Sequence, residues 1–125
     1  MLIINLDKEN LIAMIEPTGA LDVKDFQAAA STIDPYIEKV GKLNGLIIHT
    51  ESFPGWDSFE AFISHLKFVK DHHCKIRRVA LVTDSTFLTL AETLIETLGG
   101  HFIDAEIRHF SYQELEQSRR WIIEA

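Results

Sequence analysis

Short apolar runs and longer amphipathic stretches alternate along the chain, and this alternation predicts the order of its secondary structure. Two short apolar runs, residues 2–6 and 11–16, flank the charged segment Asp7–Asn10 and predict an antiparallel hairpin. Residues 43–50 and 78–83 contain runs that are apolar on both faces, as is typical of buried parallel strands. The first of these two strands is expected to lie at the centre of the sheet.

The segment between the hairpin and the first buried strand predicts a long amphipathic helix. Asp22, with Asp25 three positions later, is the signature of a helix N-terminus. Apolar residues then recur at spacings of three and four and form the predicted core stripe of Phe26, Ala30, Ile33, Ile37 and Val40. Pro35 lacks a backbone N–H, so it is expected to kink or split this helix.

Three further helices and one more strand complete the pattern. An apolar stripe predicts a helix from about Asp57 to His72, and the pair Asp84-Ser85 is expected to cap another. Residues 105–110 alternate in the manner of an edge strand, and Ser111 with Glu114 predicts a capping box before the last helix. The order β-β-α-β-α-β-α-β-α indicates a single α/β domain over residues 1–125, with a mostly parallel mixed sheet packed by helices.

Composition narrows the classes of partner. The formal net charge of −7 would repel a phosphate backbone, so neither nucleic acid nor an anionic membrane is expected as a partner. No apolar stretch approaches the roughly 20 residues of a membrane-spanning helix, and the N-terminus lacks the pattern of a signal peptide. The single cysteine suits a reducing compartment. We therefore expect a cytoplasmic protein without stable membrane insertion.

Three segments carry a resemblance to a known family. The runs 55–73, 75–85 and 105–110 resemble the small bacterial SpoIIAA-like proteins of the STAS superfamily, and the likeness extends over nearly the whole chain. The resemblance implies a single non-catalytic domain with a pocket for an apolar ligand. The anti-sigma-factor antagonists, which act by binding other proteins, share the STAS architecture, and the lipid-binding CRAL-TRIO domains resemble it more distantly.

The chain departs from the antagonists at their phosphorylation motif. Those proteins carry an Asp-Ser-Ser-Gly type sequence after the third strand, where phosphorylation of a serine breaks partner binding. Residues 51–59 of this chain read Glu-Ser-Phe-Pro-Gly-Trp-Asp-Ser-Phe. Ser52 and Ser58 are imperfect candidates for the modified serine. This departure weakens the hypothesis that phosphorylation controls partner binding in this chain.

A ligand site is predicted where the parallel strands end, because open α/β sheets bind ligands beyond the carboxyl ends of their strands. Aromatic side chains there would form an apolar wall, and a few polar groups would fix one polar end of a small amphipathic or lipid-like molecule. The predicted lining consists of His49, Phe53, Trp56, Asp84, Ser85, Phe87 and His109. The alternative is that the polar residues only cap helices and the aromatic residues only cover the sheet edge.

The six histidines do not match a metal site. His72-His73-Cys74 offers suitable atoms for zinc, but the spacing fits no structural zinc pattern, and imidazoles at a helix end commonly interact with terminal carbonyls. A helical wheel places four residues opposite the core stripe, which predicts a self-association or partner surface and a possible homodimer. These residues are Ala61, His65, Phe68 and His72.

The sequence offers no clear catalytic constellation. Ser85, His109 and Asp84 can be drawn as a triad, but adjacent Asp84 and Ser85 point differently, and Gly99-Gly100 neither follows a strand nor opens a helix as a dinucleotide-binding loop requires. We therefore predict a non-enzymatic protein without metal or cofactor. Two functions remain open, namely a binding domain for a small apolar ligand and a protein-interaction module of the antagonist type.

Overall fold

A computed structural model of the chain describes residues 2–52, 64, 68, 71–72, 75–84 and 106–124. The strands in these residues are β1 (Leu2–Asp7), β2 (Ile12–Pro17), β3 (Leu43–His49), β4 (Ile76–Val82) and β5 (Glu106–Phe110), and the helices are α1 (Val23–Val40) and α2 (Leu115–Ile123). Ser64, Phe68, Asp71 and His72 are also helical, in agreement with the helix predicted there. The helix predicted after Asp84-Ser85 lies outside the described residues.

The five strands form one sheet in the order β1-β2-β3-β4-β5. β1 is antiparallel to β2, and the remaining neighbours are parallel, so the predicted mixed, mostly parallel sheet is confirmed. β3 is central and β5 is an edge strand, as the sequence predicts. The carboxyl ends of β2 to β5 therefore meet at one end of the sheet.

Asp7 holds the turn of the β1–β2 hairpin. Its Oδ1 atom accepts hydrogen bonds from the backbone N–H groups of Glu9 and Asn10, each at 3.2 Å, and its Oδ2 atom accepts one from the Asn10 side chain at 2.9 Å. Leu11 completes the turn with a φ of 56°, in the left-handed region. This local network offsets the backbone strain at Leu11 and fixes the hairpin register.

α1 begins with the predicted capping box. The Asp22 carboxylate accepts the Asp25 N–H at 2.8 Å, and the Asp25 carboxylate accepts the Asp22 N–H at 2.9 Å. The helix is not split at Pro35, because buried residues on both sides of the proline pack it against the sheet. Gly41 ends it with a φ of 90°, a conformation that glycine adopts without strain.

The buried face of α1 differs from the predicted stripe at four positions. Ala29 and Tyr36 are buried, whereas the predicted Ala30 and Val40 are half-buried. Tyr36 tolerates burial because its hydroxyl donates to the Lys8 carbonyl oxygen at 3.4 Å.

Each face of the sheet has its own apolar cluster. α1 covers the face that contains Ala13, Ile15 and Leu46, together with the buried helix residues Ile33 and Ile37. The opposite cluster consists of Ile12, Ile47, Ala80, Val82, Phe110 and Ile122, with Ile122 contributed by α2. The two-residue period of the strands sends alternate side chains to the two clusters.

α2 begins differently from the predicted capping box. The Glu114 carboxylate accepts hydrogen bonds from the Ser111 N–H at 2.8 Å and from its hydroxyl at 2.9 Å. The reciprocal bond is missing, because the Glu114 N–H donates to the Ser111 backbone oxygen instead of its side chain. The Ser111 backbone and hydroxyl hydrogen bonds hold the pKa of Glu114 below its usual range. Glu114, and not Ser111, is therefore the N-cap residue.

Candidate binding site at the strand carboxyl ends

Three of the seven predicted ligand-binding residues lie among the described residues, and all three are at the carboxyl end of the sheet. His49 ends β3, Asp84 lies just beyond β4, and His109 is the penultimate residue of β5. The other four, Phe53, Trp56, Ser85 and Phe87, lie outside the described residues. The predicted aromatic wall therefore stays a prediction, and the geometry concerns the polar part of the site.

His49 connects two strands to the turn before α2. Its Nδ1 atom is 3.3 Å from Glu16 Oε2 on β2, and its Nε2 atom is 3.2 Å from the Tyr112 carbonyl oxygen. The imidazole also stacks on the Tyr112 ring, with centroids 4.4 Å apart and planes 6° from parallel. Only 12% of the His49 side chain is exposed. His49 thus uses both ring nitrogens inside the protein and fixes the rim of the site.

Sequence reasoning missed Glu16 and Tyr112 as parts of this arrangement. The parallel register places Ile15 beside Ile48, so the next residues, Glu16 and His49, come together at the strand ends. Tyr112 reaches the same place through the turn that follows β5. An acidic residue at the end of β2 was a usable signal, but the register between β2 and β3 depends on the tertiary fold.

Hydrogen bonds hold the segment after β3 to its surroundings and to itself. The Thr50 N–H donates to the Val82 oxygen at 3.1 Å, and the Thr50 hydroxyl donates to the Ser52 oxygen at 3.0 Å. The Glu51 carbonyl oxygen accepts from the Thr83 hydroxyl at 3.3 Å and from the Asp84 N–H at 3.1 Å. Both threonines are buried, whereas Glu51 and Ser52 are exposed.

Asp84 and His109 extend the rim across β4 and β5. Asp84 Oδ1 accepts the Tyr112 N–H at 2.9 Å, which ties the turn before α2 to the end of β4. His109 Nε2 is 2.7 Å from the Thr83 carbonyl oxygen, so Nε2 carries the proton in this hydrogen bond. The His109 residue is exposed. The imidazole is thus anchored at one nitrogen while part of the ring remains accessible to solvent.

The recorded partners of Asp84 and His109 are not those of a catalytic triad. A triad requires the carboxylate to orient the imidazole, which in turn contacts the nucleophile. Here the Asp84 contact is with Tyr112 and the His109 contact is with Thr83, while Ser85 lies outside the described residues. Within the described ranges, no group of three or more His, Cys, Asp or Glu residues could hold a metal ion.

The predicted interaction surface requires correction at Phe68 and His72. Phe68 is half-buried and packs against the α1 cluster, with its ring centroid 6.4 Å from that of Phe26 and 4.1 Å from that of His72. Only 6% of His72 is exposed. These two residues face α1 instead of solvent, whereas Ala61 and His65 lie outside the described residues.

Hydrogen bonding explains why His72 is buried. Its Nδ1 atom is 2.7 Å from the Phe68 carbonyl oxygen, and its Nε2 atom is 2.5 Å from Asp34 Oδ1 on α1. A polar ring with a partner for each nitrogen can lie inside the protein, which a helical wheel based on polarity does not anticipate. The alternative expectation, that a histidine at this helix end contacts a backbone carbonyl, is confirmed for His72.

The two candidate phosphorylation sites differ in what the structure describes. Ser52 is exposed beside the exposed Glu51, and its backbone is fixed by the Thr50 hydroxyl. Ser58 lies outside the described residues. Ser52 is thus accessible to a modifying enzyme, and its modification stays a prediction.

Comparison with known proteins places this architecture in a family. A crystal structure of an uncharacterised DUF3478-family protein with a SpoIIAA-like fold, from Shewanella loihica PV-4, is similar with a TM-score of 0.68 over 98% of this chain and 92% of that chain, at 15% identity. Comparison with curated proteins gives no match. Among the described residues, no helix has the length and apolar character needed to cross a membrane. The SpoIIAA-like family model matches residues 12–123, and the chain therefore belongs to the SpoIIAA-like family.

Proposed function

We propose that this SpoIIAA-like domain is a non-enzymatic, cytoplasmic regulatory module that binds a partner protein at the rim beyond β3 and β4. The observation that carries the proposal is the exposed pair Glu51-Ser52 on a backbone fixed by the Thr50, Thr83 and Asp84 hydrogen bonds. A surface that is ordered before binding loses less conformational entropy when a partner docks. The fold also supports a STAS-type domain, a class that includes protein-interaction modules.

Charge at the rim indicates the kind of partner surface. Glu51 and Asp84 are both exposed there, and the whole chain carries a formal net charge of −7. A basic patch on the partner would complement this rim and would accelerate association. Added salt should therefore slow association more than it speeds dissociation.

Phosphorylation of Ser52 would act through the same charges. A phosphoserine adds about −1.5 to −2 charge at neutral pH. Next to Glu51 this charge changes the electrostatic match with the partner and adds bulk at the docking surface. The expected result is a large change in affinity without unfolding, because the Ser52 side chain is exposed.

The test begins with affinity capture on the immobilised protein under gentle conditions, followed by titration of each recovered protein against variants. Ser52→Glu should change the dissociation constant by about tenfold or more, the equivalent of ~1.4 kcal/mol. Ser31→Glu is the matched control, since Ser31 is an exposed serine on α1, away from the rim. Recovered proteins that bind both variants and the unmodified protein equally well would contradict the assignment of the rim.

We also propose a second candidate, a small apolar or lipid-like ligand at the same end of the sheet. His109 supports it, because the residue is exposed and its ring is held in place by the hydrogen bond from Nε2 to the Thr83 carbonyl oxygen. A fixed polar group beside aromatic residues would suit the polar end of an amphipathic molecule. The predicted aromatic contacts are Phe53, Trp56 and Phe87.

Native mass spectrometry of detergent-free protein separates the two candidates. A bound small molecule that is lost in both Trp56→Ala and His109→Ala supports the ligand site. Tyr36→Phe serves as a control, because it removes a hydroxyl that bonds to Lys8 on the α1 side of the hairpin. A protein that carries no small molecule when purified from its own cells would contradict the ligand proposal and leave the partner proposal in place.

A further inference from the structure

Among the described residues, β1 is an edge strand that lacks the usual protection against pairing with another strand. In the part of the chain that the structure describes it pairs only with β2, and its residues Leu2–Leu6 carry no charge and no proline. Its one charged residue, Asp7, ends the strand at the hairpin turn and is paired with Arg119. Edge strands are commonly protected by charged side chains, prolines, bulges or short length. β1 is six residues long and pairs with β2 without an interruption in register. Its outer edge can therefore accept a further strand.

The opposite edge of the sheet differs in this respect. β5 contains the exposed charged residues Glu106 and Arg108 within five residues, and the exposed His109 follows. Charged side chains on an edge strand oppose pairing with another chain, because each must be partly dehydrated. The sheet thus has one protected edge and one receptive edge.

β1 also leaves apolar surface exposed on both faces. Ile3 is 48% exposed and points away from α1, whereas Leu2, Ile4 and Leu6 are only half-buried on the α1 side. Burial of apolar area stabilises an association by about 25 cal/mol per Å² before the costs of binding are subtracted. A strand added beside β1 would cover part of this surface on both faces.

The sequence of β1 is self-complementary in antiparallel pairing. A two-fold axis at Ile4 places Leu2 opposite Leu6 of a second copy and Ile3 opposite Asn5, while Ile4 faces its own counterpart. Residues directly opposite each other share a face of a sheet, so the half-buried leucines meet on the α1 side and Ile3 meets Asn5 on the other side. No like charges oppose each other within this segment.

We propose that two copies of this chain form a homodimer by antiparallel pairing of β1 about Ile4, so that their sheets become continuous. The strand that pairs with the edge of β1 belongs to a second copy of the chain, because the pairing is isologous and every apolar position meets an uncharged one. This surface is separate from the rim beyond β3 and β4, so the dimer would leave that rim open on both subunits. The assembly goes beyond the proposed function and does not depend on it.

Charged substitutions at the two exposed positions of β1, Ile3 and Asn5, test the pairing. The unmodified protein should have twice the mass of one chain in light scattering and native mass spectrometry. Ile3→Lys combined with Asn5→Lys opposes like charges across the axis and should give monomers, as should Ile3→Glu combined with Asn5→Glu. An equimolar mixture of the two variants should restore a heterodimer, because opposite charges then face each other.

Ile123→Lys is the matched control, since Ile123 is exposed to almost the same extent, 49%, but lies on α2. This variant should remain dimeric, and all variants should keep the circular dichroism spectrum and melting temperature of a folded protein. A monomeric unmodified protein would overturn the proposal. A dimer that persists in the double-lysine variant, or variants that fail to recombine when mixed, would overturn it as well.

Discussion

The two faces of the sheet are held by different kinds of interaction. α1 has 18 residues and buries a broad apolar surface that includes Ile33 and Ile37. α2 has nine residues and depends more on individual contacts, such as the Arg78 guanidinium 4.7 Å from the Trp121 ring centroid. The same Arg78 donates to the Trp121 carbonyl oxygen. A long helix that loses one contact is kept in position by the others, whereas a short helix can shift when it loses one.

Removal of one buried isoleucine from each face is the strongest test of this comparison. Ile33 is 0% exposed and Ile122 is 1% exposed, so substitution by alanine removes the same atoms from two equally buried sites. Such substitutions cost about 2–5 kcal/mol, depending on how far the site collapses. We expect about 4 kcal/mol for Ile33→Ala and about 2–3 kcal/mol for Ile122→Ala, because the short α2 can settle into the space.

Urea unfolding at neutral pH measures both free energies. Thr32→Ala on the exposed side of α1 serves as the control for helix propensity and should change the free energy of unfolding by less than about 0.5 kcal/mol. If Ile122→Ala cost as much as Ile33→Ala, the two faces would be equally rigid, and the comparison would fail.

A glycine determines how closely α2 approaches the sheet. A Cβ atom at Gly45 on β3 would lie 2.5 Å from Ile122 Cγ2 and 2.6 Å from Ile122 Cδ1. These distances are far below van der Waals contact, so Gly45→Ala must displace α2 or distort the Ile122 side chain. We expect it to lower the free energy of unfolding by about 1–3 kcal/mol.

The matched test places the same substitution in an Ile122→Ala background. The atoms that would collide are then absent, and Gly45→Ala should become nearly neutral or slightly stabilising, since alanine has less freedom than glycine in the unfolded chain. The resulting coupling energy should fall between about 0.5 and 3 kcal/mol. If Gly45→Ala lowered the free energy of unfolding equally in the unmodified and the Ile122→Ala protein, the glycine would not be there to accommodate Ile122.

The α1 side could be predicted from the sequence in more detail than the α2 side. Asp22 and Asp25 form the expected capping box because both partners are three residues apart and their geometry is local. By contrast, the closeness of Gly45 to Ile122 joins residues 77 positions apart and depends on how α2 crosses the sheet. A glycine in a strand reveals a close approach but not the residue that makes it.

The candidate site shows the same limit. The strand ends predicted that His49, Asp84 and His109 would lie at one end of the sheet, and the fold brings them there. Their partners Glu16, Thr83 and Tyr112 could not be chosen in advance, because the register and the path of the turn decide them. Their polarity suggested that these residues bind a ligand. In the structure, much of their hydrogen-bonding capacity is used in bonds to other parts of the protein.

The smallest expected effect concerns the ion pair that joins α2 to the hairpin. Arg119 on α2 donates to Asp7 Oδ2, and both side chains are less than a third exposed. The Asn10 side-chain hydrogen bond, followed by the Asn10 backbone and Arg119, holds the pKa of Asp7 below its usual value despite partial burial. Folding therefore favours the ionised carboxylate.

The sign of the pH dependence follows from this lowered pKa. Asp7 contributes its full stabilisation above the usual aspartate pKa of about 4, and this contribution is lost as the pH falls through the lower value in the folded protein. We expect Asp7→Asn to cost roughly 0.5–1 kcal/mol at pH 7, the range for partly exposed pairs, and less in acid.

Asp71→Asn is the control, because Asp71 is exposed and lies away from this pair. Urea unfolding at pH 7 and at pH 3 should show a weaker loss of stability in Asp7→Asn than in the unmodified protein. An identical loss in both proteins would mean that the hydrogen bonds around Asp7, and not its charge, attach α2 to the hairpin. The short helix would then depend on fewer electrostatic contacts than the comparison of the two faces requires.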